Sequence, residues 1–176
     1  MFSSSKHPRA LRIGVLLAAL AAVPLAFIAC DDSPVVPLPV EGAPDALLFS
    51  VSAFEGSGGR VVQMRGDTVV FRRITSHGSS VSIDSVRVVP TSDDWRRFWA
   101  AAEEAGVRNW RPHYLAEGIV DGMGWGLRLE AEGEIFESEG SNAFPDSFGG
   151  EHENQVTDAF RVFTDAIGEL VGQPVL

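Results

Sequence analysis

Near the C-terminus, Val156, Ala159, Phe160, Phe163, Ala166, Ile167, Leu170 and Val171 recur at spacings of three and four. That period puts them on one stripe of a helix running from about Glu153 to Val171, with Gly172 and Pro174 to stop it. A stripe so apolar has to lie against another apolar surface, because helical propensity alone leaves a segment of this length marginal in water. A second stripe occurs upstream, where Trp95, Phe98, Trp99, Ala102 and Ala105 follow Pro90. Thr91 can cap that helix together with Asp94, Asp93 and Asp94 suit its positive end, and Gly106 is placed to end it. Two one-sided helices call for one apolar face of a sheet.

The remaining chain supplies that sheet. Residues Ala46 to Phe54 alternate, with Phe49, Val51 and Ala53 on one side and Ser50 and Ser52 on the other. Glu55 to Gly59 reads as a flexible turn. Arg60 to Arg65 and Thr68 to Ile74 flank Gly66-Asp67, whose leading glycine suits a two-residue hairpin turn, and Val81 to Val89 is β-branched and alternating. Val107 to Gly118 shows no period. Trp125, Leu127, Leu129 and Ala131 then share one face and Gly126, Arg128 and Glu130 the other. A turn at Glu132-Gly133 sets Leu129 opposite Phe136. The order is ββββ-α-ββ-α: a single α+β domain, an antiparallel sheet of about six strands with both helices packed on one face, over residues 46–176. No internal repeat is visible.

The N-terminus reads differently. Lys6, Arg9 and Arg12 precede an uncharged stretch from Ile13 to Ala29 that Pro24 interrupts. A basic start, a short apolar run and small residues before a cut site describe a secretory signal, and the run falls short of the about 20 residues that a spanning helix needs. Phe27-Ile28-Ala29-Cys30 resembles the lipobox of bacterial lipoproteins. That resemblance implies removal of residues 1–29 and lipidation of Cys30, so that the membrane itself is a partner. Lipidation also accounts for one unpaired cysteine in an exported chain. The stretch to Asp45 holds Pro34, Pro37, Pro39 and Pro44 and reads as a tether; at about 3.1 Å per residue it would reach about 45 Å if fully extended. The organisation is therefore a signal peptide (1–29), a lipidated Cys30 with its Pro-rich tether (30–45), and a globular domain (46–176), held at the bacterial cell envelope facing the periplasm or exterior.

The formal charge of −10 sharpens once the signal is set aside: all 24 acidic residues follow Cys30 but only 11 of the 14 basic ones do, giving about −13. So acidic a chain argues against a nucleic-acid partner, and acyl chains rather than surface charge would hold it to anionic lipid.

Between the two helices run Trp110, Tyr114, Asp121-Gly122, Trp125, Leu127 and the hexapeptide Gly140-Ser141-Asn142-Ala143-Phe144-Pro145, followed by Phe148, Phe160 and Phe163. This ordering resembles a pattern in uncharacterised bacterial envelope and lipoprotein families. There an Asp-Gly turn precedes a Trp-bearing strand, and a Gly-Ser-Asn-Ala-Phe/Tyr-Pro turn introduces the last helix. The resemblance spans about residues 91–171, departs at Gly149 to Glu153, and implies fold and location but no activity. Two readings of the segment stand side by side. One is a rigid corner, with Phe144 and Phe148 plugging the core. The other is a polar notch of Ser141 and Asn142 beside Trp110, Tyr114, Asp121 and Trp125 that binds a small ligand or peptide.

Motifs for chemistry are sparse. His77, His113 and His152 have no partner histidine at helical spacing, and Glu130, Glu132, Glu134, Glu137 and Glu139 read as the solvated face of a hairpin, so no metal or cofactor is expected. There is no Gly-x-Ser-x-Gly elbow; Ser76 to Ser80 reads as a loop, and Gly122, Gly124 and Gly126 match no phosphate-binding fingerprint. Asp121 with Glu117 or Asp146 is a candidate carboxylate pair. The expected function is a non-catalytic envelope module that binds a protein, peptide or small ligand. The alternative is a hydrolase or metal-dependent enzyme built on Asp121, His113 and nearby carboxylates.

Overall fold

A computed structural model describes residues 42–53, 58–119 and 122–176. The stretch read as a signal peptide, Cys30, most of the Pro-rich segment after it and Asp121 lie outside the described residues. Among those described, no helix is long and apolar enough to cross a membrane.

The strands are β1 (Ala46–Ala53), β2 (Gly58–Arg65), β3 (Thr68–His77), β4 (Ser80–Val88), β5 (His113–Leu115), β6 (Met123–Ala131), β7 (Glu134–Ser141), β8 (Ala143–Pro145) and β9 (Glu151–Glu153). Helix α1 spans Ser92–Glu104 and α2 spans Asp158–Val171, with a 3₁₀ turn at Val107–Asn109. Seven strands form one sheet in the order β4-β3-β2-β1-β6-β7-β5, and β8 and β9 form a small ribbon. Every neighbouring pair in the large sheet is antiparallel except β5 with β7. The fold is thus α+β, with one more strand in its main sheet than the pattern suggested.

Both helices lie on the face that carries Phe49, Val51, Val62, Phe71, Trp125, Leu127 and Leu129. Phe163 of α2 meets Phe49 edge-on at 6.0 Å between ring centres and Phe98 of α1 at 5.8 Å, so one phenyl ring joins sheet and both helices. Helix α1 begins as its sequence predicts: Thr91 Oγ1 accepts from the Asp94 amide at 3.3 Å, and Asp94 accepts from the Thr91 amide at 2.7 Å. The Thr91 contacts, helped by Arg97, hold the Asp94 carboxyl below its ordinary range. At the Glu132-Gly133 turn both residues take positive φ, 52° and 84°, the conformation whose twist suits a two-residue hairpin. Leu129 pairs with Phe136 across it, as expected.

The differences from the sequence reading are local. Helix α2 starts at Asp158 rather than about Glu153, because Thr157 caps it, accepting from the Phe160 amide at 3.1 Å and donating to the Pro145 carbonyl. Glu151–Glu153 instead pairs with Ala143–Pro145. The presumed loop at Ser76 to Ser80 is a tight turn: the β3–β4 ladder runs to His77 opposite Ser80, and Gly78 turns it at φ 59°. Gly58 and Gly59 belong to β2, and β5 forms within the stretch that shows no period. Phe144 is in the core, but Phe148 is 89 % exposed, because Asp146 bonds its backbone and turns the chain outward.

The sharpest packing constraint is at Gly140. A Cβ there would sit 2.2 Å from Trp125 Nε1 and 2.6 Å from the Ala143 carbonyl oxygen. The indole cannot retreat, because Nε1 donates to that same carbonyl at 2.9 Å and Phe160 closes the other side at 4.9 Å between ring centres. Gly140→Ala should therefore lower stability by about 1–3 kcal/mol through overpacking, read as a fall in the urea midpoint at unchanged m-value.

Candidate functional site

With both helices on one face, the other face of the sheet carries no layer of its own among the described residues. Strand register places its side chains in rows. One row reads Ile83, Ile74, Gly59, Ser52, Gly124, Ser141, Leu115 from β4 across to β5. The next reads Ser85, Arg72, Val61, Ser50, Gly126, Glu139, His113, and a third Arg87, Val70, Gln63, Leu48, Arg128, Glu137.

Small residues hollow out the middle of this face. Ser50, Ser52, Gly124 and Gly126 floor a groove of about 550 Å³ walled by His113, Leu115, Glu139 and Ser141. A second groove of about 450 Å³ continues along Leu48, Arg128 and Glu137. The glycines are what make the floor low: a Cβ at Gly124 would press on Ser52 Oγ at 2.9 Å, and one at Gly126 would stand over Ser50 Oγ at 3.4 Å. His113 Nδ1 lies 3.1 Å from Glu139 Oε1 on the groove wall.

Charge is segregated along the same face. On the β6–β7 side Arg128 binds Glu130 at 2.5 Å and also Glu137, contacts that raise its pKa, the Glu130 hydrogen bond most of all. With Glu139 that side is net acidic. On the β2–β4 side Arg65, Arg72 and Arg87 surround Val70 and Thr68 in a cup of about 290 Å³. Arg65 reaches Gln63 Oε1 at 3.2 Å, and among the described residues none of the three arginines pairs with a carboxylate. Val70 is buried although it lies on the open face, sheltered in this cup.

The aromatic notch suggested by the sequence does not form at the surface. Trp110, Tyr114, Trp125 and Asn142 are all buried, and their polar atoms are occupied. Trp110 Nε1 donates to the Ala105 carbonyl at 3.1 Å, and Trp125 Nε1 to that of Ala143. Tyr114 Oη accepts from the Arg111 amide at 2.8 Å and donates to the Gly149 carbonyl. Asn142, at φ 53°, accepts from the Met123 amide at 2.8 Å. These groups build the corner between β7 and α2; Ser141, Tyr114 and Trp125 also border the groove, the two aromatic residues while themselves buried. Asp121 and Cys30 lie outside the described residues, so the Asp121–His113 pairing has no geometry here, and the described neighbour of His113 is Glu139.

Asp146 is a scaffold for the same corner. Its carboxylate accepts from the Phe148 and Gly150 amides, each at 2.8 Å, and meets His152 Nε2 at 3.1 Å. Those contacts, the Gly150 amide foremost, hold its carboxyl below the usual range. Glu151 of the adjoining ribbon binds Arg111 at 2.7 Å. Among the described residues no three His, Cys, Asp or Glu side chains converge where a metal ion would sit.

The residues that sequence reasoning missed are Arg65, Arg72, Arg87, Leu48, Ile83 and Leu115. Their alternation was visible, and the three arginines meet through the consecutive hairpins β2–β3–β4, but joining that half and Leu48 to the half with Leu115 depends on β1 pairing with β6, a contact between segments about 80 residues apart in the chain. No protein-family model matches the chain, and no curated protein matches it.

The Asp146 contacts carry a signed pH dependence. A carboxyl whose folded pKa is depressed adds stability that is complete above the unfolded value near about 4 and is lost as pH falls through the folded value. The stability difference between wild type and Asp146→Asn should therefore be constant from neutral pH to about pH 5 and shrink on further acidification. Urea unfolding at a series of pH values checks this; a difference unchanged down to about pH 3 would show that Asp146 acts otherwise.

Proposed function

We propose that the chain is a lipid-anchored protein of the bacterial envelope whose domain is a non-catalytic interaction module, working through the open face of its sheet. One observation carries the choice of face. Of the seven large apolar side chains exposed among the described residues, Leu48, Val81, Ile83, Leu115 and Ile135 belong to strands and project from this face, while Val89 and Phe148 lie outside the strands. Scattered exposed apolar residues are ordinary in soluble domains, but their concentration on one uncovered face marks a docking surface.

Two features support the module over an enzyme. The groove is broad, open and floored by Ser and Gly, and among the described residues it has one His–Glu pair on its rim and no nucleophile–base–orienter constellation. The buried aromatic residues are spent on packing. The anchor is inferred from sequence alone: a basic start, an uncharged run and Ala29-Cys30 resembling a lipobox. Net negative charge favours a protein or peptide partner over nucleic acid.

Replacing Cys30 with Ser tests the anchor. The variant should leave the membrane fraction or accumulate as uncleaved precursor, and its intact mass should lack the diacylglyceryl addition. Unchanged fractionation and unchanged mass would remove the lipoprotein reading. Crosslinking in intact envelopes from single cysteines placed at Leu115 and Ile83 tests the face. These positions should capture a protein, whereas a cysteine at Arg96 on the outer side of α1 should not.

A further inference from the structure

We propose that the open sheet face docks on the same face of a second copy, forming a two-fold dimer whose axis runs along β1. The inference rests on the module reading above and names its partner.

The argument is one of self-complementarity. Strand β1 is the middle strand of the seven. A two-fold axis along it, lying between two faces packed against each other, sets each strand over the one equally far to the other side: β2 over the second copy's β6, β3 over β7, β4 over β5. Rows are preserved, so every row meets itself reversed. In the central row Arg72 then comes over Glu139 of the second copy and Ser85 over His113. In the next row Gln63 comes over Arg128, and Leu48, on the axis, meets its own counterpart. At the end of the strands Arg65 comes over Glu130. At the opposite corner Ile83 comes over Leu115, two side chains that are 59 % and 60 % exposed in the single chain.

Three independent properties match under this one operation. Charge matches, because Arg65 and Arg72, two arginines that lack carboxylate partners among the described residues, are brought over Glu130 and Glu139 of the acidic β6–β7 side. Apolar surface matches, Leu48 to Leu48 and Ile83 to Leu115. Shape matches too: beyond Gly59, β2 and β3 carry Val61, Gln63, Arg72 and Ile74, which stand higher than the trough floored by Gly124 and Gly126 on β6. A ridge on one half and a trough on the other fit when one copy is turned over on the next, as an isologous contact requires. Twist sets packed sheets about 30° apart, so the correspondence is tightest at β2, β1 and β6 and looser towards β4 and β5.

The area is adequate. Strands about 4.8 Å apart and about 25 Å long make a face of about 700 Å² per copy, or about 1,400 Å² in all, within the range of specific interfaces. A second copy is favoured over an unrelated acidic or basic protein because the face carries both signs in opposite halves. A uniformly charged partner would be repelled by one of them.

The test uses the full-length chain purified in mild detergent, with two differently tagged forms co-expressed and sedimentation measured on each. Wild-type copies should co-purify and sediment as a dimer. Arg72→Glu alone and Glu139→Arg alone should each weaken self-association by about tenfold or more, since each sets like charges together twice per dimer. Co-expressing R72E with E139R should restore a mixed dimer, because one contact is then reversed and the other native, and both are complementary. Arg96→Glu, on α1, should change nothing. Circular dichroism of each variant shows that the exposed substitutions leave the fold intact. A wild-type chain that is monomeric at all concentrations overturns the dimer, as does one whose dimer is indifferent to both reversals or is not restored by the mixed pair. If the monomeric chain still crosslinks a different envelope protein through Leu115 or Ile83, the module reading survives the loss of the dimer. If it crosslinks nothing, both fall.

Discussion

The indole of Trp125 against the bare Cα of Gly140 is the contact on which the rest of the molecule depends. Absence of a side chain at position 140 lets the ring sink to the sheet and reach the Ala143 carbonyl. Once seated, it is the hub of an aromatic cluster: Phe160 at 4.9 Å, Trp110 edge-on at 5.8 Å and Tyr114 at 5.8 Å between ring centres. Such pairs add direction to burial, because rings prefer tilted and edge-to-face approaches. Phe160 fixes the start of α2, Trp110 fixes the chain leaving α1, and Tyr114 fixes β5. The corner from Gly140 to Pro145 thus joins sheet, ribbon and second helix through one glycine and one carbonyl.

The half of the chain governed by local periodicity was legible in its residues. The stripes of α1 and α2, the Thr91–Asp94 box, the Gly66-Asp67 and Glu132-Gly133 turns and the Leu129–Phe136 pair all follow from spacing and turn chemistry. Elements of three residues were not legible, because β5, β8 and β9 are too short to show a period and exist only through their partners. The start of α2 was misplaced for a related reason: Val156 continues the helical stripe, yet Thr157 caps just after it. Trp110, Tyr114 and Trp125 fitted both a corner of the core and a binding notch, because amphipathic aromatics serve both surfaces and cores. Only the partners of their polar atoms decide between the two, and here those partners are backbone carbonyls and amides.

A domain of this design has an asymmetric chemistry. The helical side is dry and aromatic, and its energetics are those of tight packing. The opposite side is shallow, part polar and part apolar, with basic and acidic halves. Because Gly124 and Gly126 keep the floor low, the surface charges of β7 stand at the rim of a groove instead of on a plane. Charged groups at a rim govern rates and choice of partner more than they govern affinity, which comes from what fills the centre.

Trp99 of α1 donates its indole N–H to the Gly42 carbonyl at 2.9 Å, and the Asp45 amide bonds Glu130 at 2.7 Å just before β1 begins. The chain therefore passes a buried ring and runs directly into the central strand, paired with β6 from Ala46 and with β2 as well from Leu48. Tension applied through the preceding residues would act along β1 and shear two ladders at once instead of peeling an edge. A domain pulled by that end would yield by sliding its central strand past both neighbours.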